Sequence, residues 1–307
     1  MKQLTKGDTV GIISVSSPVS KDVLLKSIDY LEKVGFIVKT GKNVLANKGY
    51  MAGSIKQRID DFHEMLQDKE VKAIFCSYGG TSAIQLLSFI DYKLFINNPK
   101  IFVGLSDPSI LSIALNTKTN IPTFHGPTGY NFGEGGMTSY TEKYFLKALT
   151  QNKPLGKISE TKWESLKEGV NEGIIIGGNL SVIQSLLGTS YEPDWTNKIL
   201  FWEDLFVEPH VIDSILTQFK IKGIFDKING MIVGTLVECN EEEFEINESI
   251  NDIIIRITKE YSFPIITNVD LGHTDDKLTI PIGTKIKMVS NNARNELIFL
   301  ESPFSNE

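Results

Sequence analysis

Short apolar runs alternate with amphipathic stretches along the first half of the chain. Residues 10–15 are mostly apolar, follow the turn residues Lys6-Gly7-Asp8, and predict a strand ending at Ser16-Ser17-Pro18. Residues 21–34 predict an amphipathic helix that Gly35 terminates. Phe36-Ile37-Val38 reads as a short strand. Ser54 is placed to cap a helix whose Ile55, Ile59, Phe62 and Leu66 share one face. Residues 71–76 predict the next strand, and Ser77-Tyr78-Gly79-Gly80-Thr81-Ser82 a loop leading into a helix through Phe89. Residues 101–105 with a helix from Pro108 form another unit, and residues 121–124 give a strand ending at His125-Gly126-Pro127. Strands alternating with helices mean βαβ units and a parallel sheet. Ligands of such sheets sit outside the carboxyl ends of the strands, where Ser16, Gly79, Gly80, Ser106 and His125 all fall.

The pattern changes after residue 150. Gln151-Asn152-Lys153-Pro154-Leu155-Gly156 is polar, carries Pro and Gly, and reads as a linker. Gly173-Ile174-Ile175-Ile176-Gly177-Gly178-Asn179 reads as a strand entering a glycine turn, followed by a short helix over 180–187 that Gly188 stops. Residues 199–202 predict an apolar strand ending abruptly at Glu203-Asp204. Helices are expected over 210–220 and 247–260, and strands over 231–237, 264–269, 279–282 and the pair 285–289 and 296–300. The expected organisation is an α/β domain over 1–150, a connection over 151–168 and a mixed β/α domain over 169–307. A chain of 307 residues has room for two such cores.

The stretch Lys100-Ile101-Phe102-Val103-Gly104-Leu105-Ser106-Asp107-Pro108 carries candidate chemistry. Asp107 suits an N-cap and Pro108 the first helical position, so Ser106 stands where a strand turns sharply into a helix. A nucleophile elbow uses that placement, with the next backbone N–H as an oxyanion donor; a serine there also serves as a simple cap. The four histidines are His63, His125, His210 and His273. His63 reads as a surface residue in mid-helix and His210 as a helix opener. His125 lies at a strand end with nothing evident to orient it. His273 follows an apolar strand in a loop beside Gly272, where it is either functional or solvated. Glu203 ends an apolar run, so its carboxylate is expected to be partly buried and to need a donor. An imidazole N–H would supply one; alternatively Glu203 or Asp204 caps the following segment. Together these residues give a Ser, Glu, His order suited to nucleophilic catalysis.

Composition narrows the partners. A net charge of −7 argues against nucleic acid and anionic membrane surfaces, and no stretch approaches a membrane span. No secretory h-region opens the chain. Cys76 and Cys239 stand far apart without ligand spacing, which suits a reducing cytoplasm and neither a disulfide nor a metal site. The acidic run Glu241-Glu242-Glu243 reads as a solvated loop.

Several segments jointly resemble the S66 serine peptidases, which include the LD-carboxypeptidases and the microcin C immunity proteins. Gly104-Leu105-Ser106-Asp107 is similar to the family's nucleophile segment and Phe201-Trp202-Glu203-Asp204 to its glutamate segment. Gly272-His273 with Leu278-Thr279-Ile280-Pro281-Ile282-Gly283 is similar to its histidine segment, and Gly177-Gly178-Asn179-Leu180 is a fourth hallmark. Lys6-Gly7-Asp8, Ala52-Gly53-Ser54 with Arg58, Pro99-Lys100 and His125-Gly126-Pro127 extend the likeness along the chain. The resemblance implies a flavodoxin-like N-terminal domain with a swivelling β/β/α C-terminal domain, and a homodimer. It implies Ser106 as nucleophile, Glu203 as orienting acid, His273 as base, and oxyanion donors from the Asp107 N–H and the Gly79-Gly80 turn. No metal or organic cofactor is implied.

The implied activity is a cytoplasmic serine carboxypeptidase cleaving an amide bond near a free carboxylate, with a muropeptide L,D bond (murein recycling) as preferred substrate. LD-carboxypeptidases carry Arg-Gly-Gly-Tyr-Gly where this chain has Tyr78-Gly79-Gly80-Thr81-Ser82. Immunity relatives also lack that Arg, and Asn131-Phe132-Gly133-Glu134 resembles their sequence, so a peptidyl or aminoacyl nucleotide is the alternative substrate. Against it, residues 157–173 lack the long nucleotide-gripping loop of those proteins, and Trp163 is the only aromatic there. A non-catalytic nucleotide-binding module using the glycine turns, and an α/β-hydrolase, are the remaining rivals.

Overall fold

The computed structural model describes residues 1–239 and 248–305; the run Glu241-Glu242-Glu243 lies outside the described residues. The first half builds β1 (Thr9–Ile13), α1 (Lys21–Val34), β2 (Ile37–Thr40), α2 (Ile55–Gln67), β3 (Val71–Cys76), α3 (Tyr92–Asn97), β4 (Ile101–Gly104), α4 (Ser109–Thr119), β5 (Thr123–His125) and α5 (Ser139–Thr150). The strands pair in parallel in the order β2-β1-β3-β4-β5, the flavodoxin-like winding. β1 and β4 are buried throughout because helices cover both faces of the sheet.

The second half adds β6 (Gly156–Ile158), β7 (Glu164–Lys167), β8 (Gly169–Asn179), α6 (Leu180–Leu186), β9 (Lys198–Glu203), α7 (Pro209–Ile221), β10 (Gly230–Gly234), α8 (Ile250–Thr258), β11 (Ile265–Val269), β12 (Ile280–Ile282), β13 (Lys285–Ser290) and β14 (Glu296–Phe299). Its sheet runs β6-β14-β13-β8-β9-β10-β11-β7. The central β8-β9-β10-β11 block is parallel and the flanking pairs are antiparallel. β12 leaves this sheet and lies antiparallel beside β5 as the edge of the first one.

Helix α4 holds the two halves together. Its residues Ser109 to Asn116 are all buried, as an Ile-Leu-Ser-Ile-Ala-Leu sequence without a polar face requires. It packs on β4 and β5 and also on β8 and α6. The turn that precedes α4 therefore emerges at the junction of the two sheets.

Local departures from the sequence reading have local causes. The expected helix through Phe89 is a single 3₁₀ turn, Ala83–Leu86. The chain restarts as α3 because the Asp91 carboxylate accepts the Leu94 N–H at 2.9 Å. Residues 151–168, read as a connection, contain β6 and β7, short edge strands with little apolar pattern of their own. β8 begins earlier than expected, at Gly169, since its half-exposed first turns owe their extension to pairing with β13.

Candidate active site

The turn after β4 is held from three sides. Ser106 has φ +64°, a left-handed conformation that costs a non-glycine residue of order 1 kcal/mol or more and persists only where the surroundings impose it. Its carbonyl accepts both the Ser109 N–H (2.9 Å) and the Ser109 hydroxyl (2.6 Å). A Cβ on Gly104 would meet Pro108 Cβ at 2.9 Å, so only glycine lets the chain double back this closely. Asp107 does not cap α4, contrary to the sequence expectation; Pro108 occupies the cap position with no side-chain bond. The carboxylate of Asp107 instead accepts the Ser16 hydroxyl and the Ala83 N–H, the latter at 2.7 Å. It thereby ties the turn to the loops after β1 and β3.

Those loops carry Gly79 and Gly80. A Cβ on Gly79 would lie 3.1 Å from Ser106 Oγ, so the Gly79 backbone runs directly alongside the hydroxyl. Beneath them lies buried Arg58, from α2. Its Nη1 donates to Val15 O (3.0 Å) and to Ser82 O (3.1 Å) and Oγ (3.0 Å). The guanidinium thus buttresses both loops, a task that an arginine four residues after a capping serine hints at only weakly.

The other half of the site comes from the second sheet. Glu203, the last residue of β9, is fully buried, and its Oε2 lies 2.6 Å from His273 Nδ1. Burial alone would raise the Glu203 carboxyl, but the His273 imidazole, with a lesser contribution from His125, holds it below the ordinary glutamate range. Burial opposes the charged form of His273, and the Glu203 carboxylate outweighs it, so that imidazole titrates above the usual histidine value. Two glycines make the contact possible. Gly234 ends β10, between β9 and β11, and a Cβ there would stand 2.9 Å from Glu203 Cβ and 2.5 Å from Leu271 Cδ1. Gly272, at φ +91°, would drive a Cβ into the Glu203 side chain.

The two readings of Glu203-Asp204 divide between the neighbours. Glu203 receives the imidazole; Asp204 accepts Asn179 Nδ2 (2.7 Å), the Ser181 N–H (3.0 Å) and the Ser181 hydroxyl (2.7 Å). It therefore braces the first turn of α6, the preceding helix, and also accepts the Leu205 N–H of the segment that follows at 2.9 Å. The register Asn179↔Glu203 sets this up.

Ser106, Gly79, Gly80 and His273 line one cleft of about 410 Å³, rimmed by Tyr78, Tyr130 and Phe206, with Lys277 in its wall. Burial lowers the Lys277 pKa against the opposing charges of Asp275, Asp276 and Glu203. A larger cleft of about 500 Å³, beside Asp8, Val71 and Lys100, opens at the amino ends of the first-sheet strands, and its described lining has no serine, cysteine or histidine.

The remaining histidines lie elsewhere. His125 is fully buried, edge-on to Phe201 at 5.3 Å, with Nε2 4.0 Å from Glu203 Oε1. Burial pushes its pKa down to about 4, so it is a neutral ring behind Glu203 and does not reach the cleft. His63 is not a bystander, as its mid-helix place suggested: its Nε2 accepts the Asp91 N–H at 3.0 Å, at the start of α3. His210 pairs with Glu208 at 3.3 Å. Trp163 is buried and donates to Asp270 Oδ2 at 3.0 Å, so it packs and cannot stack on a base. Gly177 and Gly178 are no phosphate cradle either. Added Cβ atoms would collide with Phe201 O and lie 2.9 Å from Ser109 Oγ, so these glycines let β8 pack on β9 and α4. Among the described residues no group of three or more His, Cys, Asp or Glu is placed to hold a metal ion.

An imidazole held by a buried carboxylate can take a hydroxyl proton and return it to a leaving amine. The arrangement also excludes the α/β-hydrolase rival, since Ser106 follows a strand of a flavodoxin-ordered sheet whereas Glu203 and His273 come from the other sheet. Residues 10–126 match the LD-carboxypeptidase N-terminal domain and residues 172–288 the LD-carboxypeptidase C-terminal domain of the S66 peptidases. A probable murein peptide carboxypeptidase of Bacillus subtilis is 35% identical, over 94% of this chain and 90% of that protein. The microcin C7 self-immunity protein MccF of Escherichia coli is 29% identical over 94% of this chain and 92% of its own. A solved structure of MccF with glutamyl sulfamoyl guanosine superposes with a TM-score of 0.89 at 26% identity, covering 98% of each chain. The chain belongs to the S66 peptidase family and is a serine-type carboxypeptidase.

Proposed function

We propose that Ser106, His273 and Glu203 form the catalytic triad, and that the substrate is a muropeptide cut at an L,D amide bond next to a free carboxylate. The observation that carries this reading is the 2.6 Å Glu203–His273 pair opening onto the cleft that also holds the strained Ser106. With Nδ1 engaged by Glu203, Nε2 is the nitrogen left to serve Ser106. It takes the hydroxyl proton as Oγ attacks the carbonyl carbon. The N–H of Asp107 and the Gly79-Gly80 turn hold the oxyanion. As the C–N bond breaks, the imidazolium gives its proton to the amine. Water then enters, loses a proton to His273, and splits the acyl-enzyme to free the shortened peptide and regenerate Ser106.

The muropeptide is supported by the identity to the Bacillus subtilis murein peptide carboxypeptidase and by the buried Trp163, which leaves residues 157–173 without an aromatic for a base. The MccF complex with glutamyl sulfamoyl guanosine favours a second substrate, an aminoacyl nucleotide cleaved by the same residues. Mass spectrometry after incubation with a muropeptide mixture tests the first reading: the protein should release one terminal amino acid and the Ser106→Ala variant none. Intact muropeptides alongside cleaved aminoacyl sulfamoyl-adenylate would select the second, and full activity of Ser106→Ala would overturn the mechanism. The family resemblance supports a homodimer, which sedimentation checks. The two unpaired, buried cysteines support a cytoplasmic site of action, and no described helix is long and apolar enough to cross a membrane.

A further inference from the structure

A carboxypeptidase needs a counter-charge for the chain end, and neither Tyr78 nor the glycines beside Ser106 supply one. Among the described residues lining the cleft, Lys277 is the only lysine or arginine. Its side chain is buried, yet Nζ makes a single long hydrogen bond, 3.3 Å to the Asp275 carbonyl. Among the described residues no carboxylate oxygen lies within 4.0 Å of it; Asp275, Asp276 and Glu203 act on it only from farther away. A buried ammonium with unfilled donors, in the wall of a cleft, is costly unless an anion joins it.

The position is built. The Lys277 N–H donates to Thr141 Oγ1 at 2.9 Å, and the Thr141 hydroxyl donates to Asp275 O at 3.0 Å. The Thr138 hydroxyl donates to Asp276 Oδ1 at 2.6 Å. The first turn of α5 thus clamps the loop that also carries His273, fixing Lys277 relative to the imidazole. Among the described residues Asp275 is the one carboxylate in the cleft wall, and it is exposed; its backbone carbonyl meets Lys277.

We propose that the Lys277 ammonium binds the free carboxylate of the residue to be released and so makes the cleft select a chain end over an internal bond. The inference rests on the peptidase reading above but is measured by binding, so the two can fail separately. In a Ser106→Ala background, which removes turnover, calorimetry compares a short peptide ending in D-alanine with its C-terminal amide. With Lys277 present the acid should bind on the order of 10- to 100-fold tighter, as charge-assisted hydrogen bonds allow. Lys277→Met should bring the acid-to-amide ratio toward one, and Lys277→Arg should restore most of it. Lys277→Gln carries the same expectation as Lys277→Met should the latter not fold. An unchanged ratio in the neutral variants, an equal loss on acid and amide, or no preference with Lys277 present would overturn the proposal. Absence of muropeptide hydrolysis by the unmodified protein, with the acid preference intact, would instead count against the muropeptide substrate alone.

Discussion

The two sheets prepare their halves of the site by opposite means. On the first, Ser106 is forced into a left-handed backbone conformation and held there by Ser109, Asp107 and the Gly79 loop. On the second, Glu203 and His273 meet because side chains are missing at Gly234 and Gly272. Strain exposes the hydroxyl, whereas space admits the ion pair. Damage to the first half should therefore separate stability from activity, while damage to the second should remove both together.

Replacing Ser106 is the sharpest test of that contrast. Both Ser106→Ala and Ser106→Gly should lower kcat by about 10⁴ to 10⁶, the range seen when a triad nucleophile is lost. Only glycine relieves the positive φ, so thermal unfolding should find Ser106→Gly more stable than Ser106→Ala by about 1 kcal/mol. Equal melting temperatures would mean that the turn stores no strain. Next in size, Glu203→Gln should cost kcat/KM about 10³ to 10⁴. His273 must be neutral to act as base, and Glu203 holds its pKa above the ordinary value. Activity of the unmodified protein should thus fall away on the acid side at a pH above that value, and the residual Glu203→Gln profile should have its acid limb at lower pH. A limb that stays put would remove Glu203 from the role of orienting acid.

Gly234→Ala tests the half built on space. The new methyl would press on Leu271 and Glu203 Cβ, an overpacked site that costs typically 1–3 kcal/mol. Because the displaced atoms belong to Glu203 and to the loop carrying His273, kcat/KM should fall about 10- to 100-fold along with the melting temperature. Full activity in a destabilised variant would break the proposed link between packing and catalysis.

What could be read from the chain follows the same division. Ser106 was legible because a strand, a tight turn and a helix start are written in adjacent residues. Gly234 was not, since its importance depends on β9 and β11 being its neighbours, and nothing within Gly-Met-Ile-Val-Gly states that. Lys277 sits in an Asp-Asp-Lys stretch that looks solvated; its burial comes from α5 closing over the loop. The same limit left Glu203 and Asp204 open between imidazole partner and cap, because both tasks suit a carboxylate at a strand end. Arg58 was legible only as part of a family-like segment and His63 as a mid-helix surface residue, because their partners, the Ser82 and Asp91 loops, are brought to them by the fold.

Asp204 allows the finest test, since it stands one residue from Glu203 and differs in what it holds. It accepts the amide of Asn179, the backbone and hydroxyl of Ser181, and the Leu205 N–H at 2.9 Å, all of them donors at the start of α6 or in its own turn. Asp204→Ala leaves those donors without their acceptor, and the expected cost is about 1–3 kcal/mol, read from urea unfolding. The Glu203–His273 hydrogen bond is left in place, but the Asp204 charge also helps to raise the His273 pKa, so the acid limb of the pH profile should move to lower pH by less than in Glu203→Gln. A limb displaced as far as in Glu203→Gln would show that Asp204 also orients the carboxylate beside it, and an unmoved limb would leave it a purely structural brace of α6.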